Sequence, residues 1–412
     1  MAGPSGRPRI IVTGDVLRCV RRNEFYHQLA NARWLHGLFE TPILEATGIA
    51  PELVFSSFSD EVDIPKVYRE LGLAADSSGW IQVFDNLPDA VTQRLYGDVD
   101  GALVIGFELP PGLTTSLTRL GARVLNVGIH PVRFMDDIFL AIQTPDALLT
   151  EGLARHVMSE RLAHRAAGLV KAYQAKAPLK RIPAPVAVFA GQMPIDRSLI
   201  RDGRLVTADD LKEKIESTFG RFETILLKPH PLATENPVID RIKAIGLATQ
   251  VTELDFYELI CHPDVAAIVA ISSGTCQEAP YFGKEGIHLS HCATPCLWHG
   301  DSTGSEGWWS IYDDFLVPDF WRDVLNPIMK VTPADGDRPS PKPNRLRIAL
   351  REFWGYAGID PKMLVMQSGV APNLDRMRIE LAALKRIRRL GERMARLPLL
   401  GPIVRAAARH LR

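Results

Sequence analysis

Short apolar runs alternate with amphipathic stretches along this chain, at the spacing of strands alternating with helices. Arg9–Gly14 (RIIVTG), Trp80–Phe84 (WIQVF), Ala102–Phe107 (ALVIGF) and Val124–Ile129 (VLNVGI) read as buried strands, with helical patterns over Glu24–Phe39 and Ala90–Tyr96 between them. Such alternation predicts a parallel sheet with helices on both faces. A long helical stretch, Glu151–Ala175, follows and ends in Lys176–Pro185 (KAPLKRIPAP), whose three prolines make a linker. The alternation then restarts. Val186–Ala190 is a strand, Ala208–Phe219 a helix, Thr224–Lys228 a strand, Asp255–Cys261 a short helix, Val265–Ile271 a strand and Cys276–Phe282 its helix. A Pro-rich segment, Pro333–Asn344, separates this second unit from a helical end.

The expected fold class is therefore α/β, with two doubly wound Rossmann-type domains facing a cleft and a C-terminal helical tail, an arrangement like the GT-B architecture. The expected boundaries are 1–175 for an N-terminal α/β domain, 176–185 for the linker, and 186–332 for a second α/β domain. Residues 333–370 form a Pro-rich linker and helical segment, and 371–412 the tail. On architecture alone this is analogy, because epimerases, binding proteins and dehydrogenases also use paired α/β domains.

Composition narrows the class. The 412 residues are 46% hydrophobic and 23% charged, a profile of packed globular domains. No apolar run approaches the roughly 20 residues that a membrane-spanning helix needs, and Met1–Arg9 has no apolar core of a secretory signal. The expected location is cytoplasmic. The net charge of zero hides an asymmetry: Ala371–Arg412 holds eleven Lys/Arg against three Asp/Glu, a surplus of eight. Leu374, Met377, Leu381, Leu384, Ile387, Leu390, Met394 and Leu397 form one apolar stripe there, flanked by Arg and Lys. This segment reads either as a helix packed on the body or as an anchor on an anionic membrane surface, peripheral to the inner membrane. Basic charge confined to one end argues against nucleic acid as a partner.

Five scattered cysteines read as reduced thiols. His288, His291, Cys292, Cys296 and His299 lie close enough together to raise a zinc site, but no CxxC pair is present. In open α/β sheets ligands bind at the carboxyl ends of strands, and three motifs of the second unit sit there. Lys228-Pro229-His230-Pro231 follows TILLK, its prolines stiffening a turn that holds an ammonium and an imidazole where both can meet a phosphate. Ser272-Ser273-Gly274-Thr275 opens a helix after VAAIVAI, where hydroxyls and free N–H groups favour an anion. Gly191-Gln192-Met193-Pro194-Ile195-Asp196-Arg197-Ser198 follows VAVFA and puts Asp196 on a cleft loop, as a reacting carboxylate or as a plain helix cap. There is no GxxxxGK[ST], and the lone Gly14 is no dinucleotide fingerprint.

The blocks FAGQMPIDRSLI, LLKPHP (His230 lying 34 residues beyond Asp196) and ISSGTCQEAPYFGKEGIHL resemble the retaining β-Kdo transferases of bacterial capsule and O-antigen assembly. VIGFELPPGL and Ile129–Phe139 (IHPVRFMDDIF) are similar to that group's N-terminal motifs. The resemblance implies a GT-B enzyme that transfers Kdo, or a related 2-keto sugar acid, from a CMP-activated donor to a cell-surface glycan or glycolipid. It implies no cofactor and no metal, the CMP-sugar being a co-substrate. Asp196 would be the nucleophile of a covalent intermediate, and Glu108 the acid/base. Gln192, Lys228, His230, Ser272, Ser273 and Gly274 would bind the donor, with His130 and Arg133 contacting the acidic sugar or the acceptor. An HP turn with a serine pair also occurs in sialyltransferases and CDP-polyol phosphotransferases. A catalytically dead GT-B protein that binds a glycan or scaffolds an assembly is a further alternative.

Overall fold

A strand buried at every residue must be covered on both faces, and its side chains must all be apolar or small. That constraint organises the two main sheets of the computed structural model, which describes residues 8–19, 29–55, 63–176, 178–183, 185–230, 233, 236–301 and 307–334. All of these fall within one compact unit, Met1–Asn344. The tail expected at 371–412 lies outside the described residues, as do 335–370.

In chain order the strands are β1 (Ile10–Gly14), β2 (Glu52–Leu53), β3 (Leu103–Phe107), β4 (Arg123–Ile129), β5 (Leu140–Gln143), β6 (Val186–Ala190), β7 (Ile200–Arg201), β8 (Arg204–Leu205), β9 (Thr224–Lys228), β10 (Ala248–Val251), β11 (Val265–Ala270), β12 (Glu285–His288), β13 (Cys296–Leu297) and β14 (Trp308–Ile311). The first sheet has the order β13-β14-β5-β4-β3-β1-β2, parallel from β2 to β4. The second has the order β10-β9-β6-β11-β12 and is parallel throughout. β1, β3 and β6 are buried at each of their five positions. The expected α/β class with parallel sheets holds.

Several elements differ from the sequence expectation. Trp80–Phe84 is not a strand but the end of a helix, Ser77–Phe84, capped by Asp76, whose carboxylate accepts from the Ser78 and Gly79 amides at 2.9 and 3.3 Å. Its large buried residues, Trp80, Val83 and Phe84, put Val83 and Phe84 three and four positions after Trp80, a helical period hidden inside a mostly apolar run that Gln82 interrupts. The stretch Glu151–Ala175 is two helices, Ala147–Ala154 and Glu160–Gln174, the second started by Ser159. Thr275–Glu278 makes one α-turn before a 3-10 turn at Ala279–Phe282, and the helix expected from Ala208 begins at Lys212.

The boundary expected at 332 also needs correction. β13 and β14, which follow the second sheet in sequence, complete the first: Trp309 of β14 pairs antiparallel with Ile142 of β5. The helix Pro318–Leu325 then packs on the helix Leu29–Thr47, where Phe39 meets Trp321 edge-on with ring centroids 4.8 Å apart. The chain thus crosses from the first sheet to the second and back.

The sheets touch at Gly274, in the loop after β11. A methyl group there would lie 2.4 Å from Cβ of Pro131, which follows β4. Replacing Gly274 by Ala therefore requires the two loops to part. Overpacking of this kind costs about 1–3 kcal/mol, so Gly274→Ala should unfold at lower urea concentration with an unchanged m-value.

Candidate functional site

Because β6, β9 and β11 are adjacent and parallel, the loops that follow them open at one edge of the second sheet. Gln192 knits two of these loops together. Its Oε1 accepts from the Ser272 amide at 2.8 Å, and its Nε2 donates to Oγ of Ser272 at 3.1 Å and of Ser198 at 3.3 Å. Ser272 is 3% exposed, and its Oγ donates to Ser198 Oγ at 3.0 Å, so a buried hydroxyl is satisfied entirely by side chains. The Asn236 amide fixes Gln192 from behind, donating to its carbonyl at 3.1 Å.

Asp196 joins this network through Ser198. Its Oδ1 accepts from the Ser198 amide and hydroxyl, each at 2.9 Å, and caps the 3-10 turn Arg197–Leu199. Both bonds fall on one oxygen, which leaves Oδ2 outside the network. His230 stands at the end of the neighbouring β9 in electrostatic reach of Asp196. Burial lowers its pKa below the ordinary histidine value, while the Asp196 charge pulls it up. Lys228 donates to the Leu254 carbonyl at 2.7 Å, and the Ser273 hydroxyl accepts from the Thr275 amide at 3.3 Å.

The first sheet brings its own carboxyl ends to this edge. Glu108 follows β3 with a positive φ of 49°. The next residue, Leu109, is pinned on both sides by Asn126, which accepts from its amide at 2.8 Å and donates to its carbonyl at 3.1 Å. Oε2 of Glu108 lies 3.6 Å from Nη1 of Arg197, the residue after Asp196. Trp80, Phe84 and Ile200 form a cluster with Ile195, and the Gly203 amide donates to Asp85 at 2.9 Å. The seam thus holds both an apolar cluster and a charged pair.

Asp15, directly after β1, was not among the residues expected from the sequence, nor were Arg18, Trp80, Arg197 and Ser198. Asp15 is 3% exposed, and its Oδ2 accepts from the Trp80 indole at 2.8 Å. Its Oδ1 is buried with no hydrogen-bond partner. Burial pushes this carboxyl up to about 6, against the opposing pull of the indole, of Arg18 and Arg197, and of the Leu17 amide. The Arg18 guanidinium lies over the Trp80 ring, 5.2 Å from its centroid. An aspartate directly after a buried strand was the available signal, because that is where ligands meet parallel sheets.

His130 and Arg133, expected to contact an acidic sugar or the acceptor, follow β4. His130 is 0% exposed, its Nε2 lies 3.0 Å from Ser310 Oγ, its Nδ1 accepts from the Val132 amide at 3.1 Å, and its ring stacks on Phe139. Burial holds its pKa well below the ordinary value. It is a wall residue, with both ring nitrogens already used. The Arg133 amide donates to the buried Glu278 at 2.5 Å, which also accepts from Tyr257. Among the described residues no three His, Cys, Asp or Glu side chains gather to hold a metal ion. No helix of the described residues is long and apolar enough to cross a membrane.

No family model matches the chain, and no curated protein matches it. Among solved structures, KpsC of Thermosulfurimonas dismutans, a beta Kdo 2,7 transferase, aligns at 15% identity over 58% of this chain and 79% of that chain. Its TM-score is 0.31, too low for the likeness to bear on fold or function.

The raised carboxyl of Asp15 has a stability consequence of definite sign. The folded protein keeps this proton up to about pH 6, whereas an unfolded aspartate releases it near 4. Folding stability is therefore lost as pH rises through that window, by roughly 3 kcal/mol. Asp15→Asn retains an acceptor for Trp80 without the charge. It should melt above wild type at pH 7.5 and show no gain at pH 4, measured by thermal denaturation at both values.

Proposed function

We propose that this chain is a glycosyltransferase of GT-B type that moves Kdo, or a related 2-keto sugar acid, from a CMP-activated donor to a cell-surface glycan or glycolipid, with retention. The observation that carries the reading is the placement of Asp196. Its Oδ1 is locked by Ser198, it lies in electrostatic reach of His230, and its neighbour Arg197 faces Glu108 of the first sheet. The motif resemblance supplies the chemistry.

In this reading Oδ2 of Asp196 attacks the anomeric carbon, and the bond from that carbon to the CMP phosphate oxygen breaks, its electron pair leaving with CMP. His230 donates a hydrogen bond to the departing phosphate, and Ser273 with the Gly274 amide completes the grip. The acceptor hydroxyl then attacks the same carbon, displaces Asp196 and gives its proton to Glu108. Two displacements at one carbon preserve its configuration. Holding Asp196 at one oxygen fixes the approach of the other, which is worth several kcal/mol of barrier when the reacting atoms start about 3–3.5 Å apart.

The test is incubation with CMP-Kdo and, separately, CMP-sialic acid, reading CMP release and the mass of the intact protein. Wild type should release CMP from one of them and carry a sugar adduct. Asp196→Asn should bind donor but turn over at least about 100-fold more slowly, without adduct, and His230→Ala should lose most activity with its melting curve intact. No release by wild type, or a normal rate in Asp196→Asn, would overturn the proposal. A phosphodiester product would instead identify a phosphotransferase.

A further inference from the structure

The helix Glu160–Gln174 is packed on one side only. Its buried residues are Ala163, Ala167 and Val170, and it lies against the helix Phe256–Cys261 and the turn Ala279–Phe282. On the opposite side, by the helical period, stand Arg161, Leu162, Arg165, Leu169 and Ala172, all exposed. Leu169 is 68% exposed, the most open large apolar side chain among the described residues. The same mixture of cations and apolar groups continues past the helix in Lys176, Leu179, Lys180 and Arg181, with Leu179 65% exposed. Lys171 joins the two stretches, since it lines a groove together with Leu179 and Lys180.

Between Glu160 and Pro183 the six cations Arg161, Arg165, Lys171, Lys176, Lys180 and Arg181 stand against one acid, Glu160. That acid is occupied, accepting from the Tyr281 hydroxyl at 2.9 Å. Lys180 pairs with Glu258 at 3.4 Å, and Lys171 lies 5.6 Å from the Phe282 ring centroid. Arg161, Arg165, Lys176 and Arg181 form no ion pair among the described residues. Single exposed leucines need no explanation, whereas leucines set among unneutralised cations on one face do. The chain's own end is no counterpart, because 371–412 is itself basic, with eleven Lys/Arg against three Asp/Glu. A layer of phosphate groups over hydrocarbon satisfies both kinds of side chain. Arginine and lysine extend their stems and keep their charges at the phosphates, while leucines leave water beneath them. Each cation near an anionic leaflet adds to the attraction, and salt weakens it.

We propose that the outer face of this helix, continued through Arg181, docks on an anionic phospholipid membrane. This surface belongs to the described fold, is separate from 371–412, and is independent of the transferase reading.

The tests use the full chain without donor or acceptor. In cosedimentation it should bind phosphatidylglycerol vesicles, leave phosphatidylcholine vesicles alone, and release as sodium chloride is raised. Arg161→Glu with Arg165→Glu, and separately Leu169→Ser with Leu179→Ser, should each weaken binding about tenfold or more. Both double variants should keep the wild-type melting curve, because the replaced side chains are exposed. Trypsin supplies the location: cleavage after Lys176, Lys180 and Arg181, followed by mass spectrometry, should slow on phosphatidylglycerol vesicles and not on phosphatidylcholine. Equal binding to both lipids, or binding to neither, overturns the proposal. Phosphatidylglycerol binding undiminished in both double variants also overturns it, and unslowed cleavage at these sites then assigns the membrane contact to 371–412. Self-association in sedimentation velocity that is lost in the leucine variant, with no vesicle binding, identifies a second copy as the occupant and overturns it as well.

Discussion

The guanidinium of Arg197, on the loop after β6, lies 3.6 Å from the Glu108 carboxylate at the end of β3, and the site is arranged around that meeting of the two sheets. Two sheets whose parallel strands meet at their carboxyl ends bring together the strand-end loops, where polar and charged residues collect. Burying a carboxylate there costs several kcal/mol unless a cation or hydrogen-bond donors compensate. Asp15 is compensated only in part, by the Trp80 indole first and by the charge of Arg18, so burial prevails and raises its pKa to about 6.

The second constraint is polar satisfaction inside the second unit. Ser272 is nearly fully buried, and a buried hydroxyl without partners would cost about 1–3 kcal/mol. Gln192 and Ser198 meet that need, and in doing so they fix the loops after β6 and β11 against one another. Asp196 inherits the rigidity, because the same Ser198 that serves Ser272 also donates to Oδ1. The carboxylate is oriented by a network whose first purpose is to satisfy the core.

This division explains what was legible in the sequence. The central strands were legible because continuous apolar runs are what double-sided burial demands, and β1, β3, β6 and β11 fall where those runs lie. Edge strands such as β2 and β10 were not, since half-exposed residues carry no such run. Trp80–Phe84 misled because so short a stretch, four apolar residues around Gln82, fits either period. β14 misled because its pairing with β5 joins Trp309 to Ile142, a contact no local pattern encodes. The loops carrying Asp196, His230 and Ser272 were legible as strand-end motifs. The pairing of Glu108 with Arg197 was not, being charge complementarity between segments far apart in a chain read locally. His130 stood out as polar in sequence, whereas the fold uses it to fill the first sheet's wall.

Backbone strain separates ordinary architecture from the site by the same logic. Among the described residues two that are not glycine adopt a positive φ, Asp202 at 51° and Glu108 at 49°. Asp202 precedes Gly203, itself at 70°, in the two-residue turn between β7 and β8, where such angles match the twist of a tight hairpin. No hairpin accounts for Glu108. Its left-handed geometry costs about 1 kcal/mol or more and is maintained from outside, by the two hydrogen bonds between Asn126 and Leu109 and by the bond from its own amide to the Val127 carbonyl at 2.7 Å. A strand that simply ended would relax into an extended turn. This one is held so that a carboxylate at the end of β3 meets Arg197 across the seam, and the three bonds that maintain it come from β4, the strand beside it.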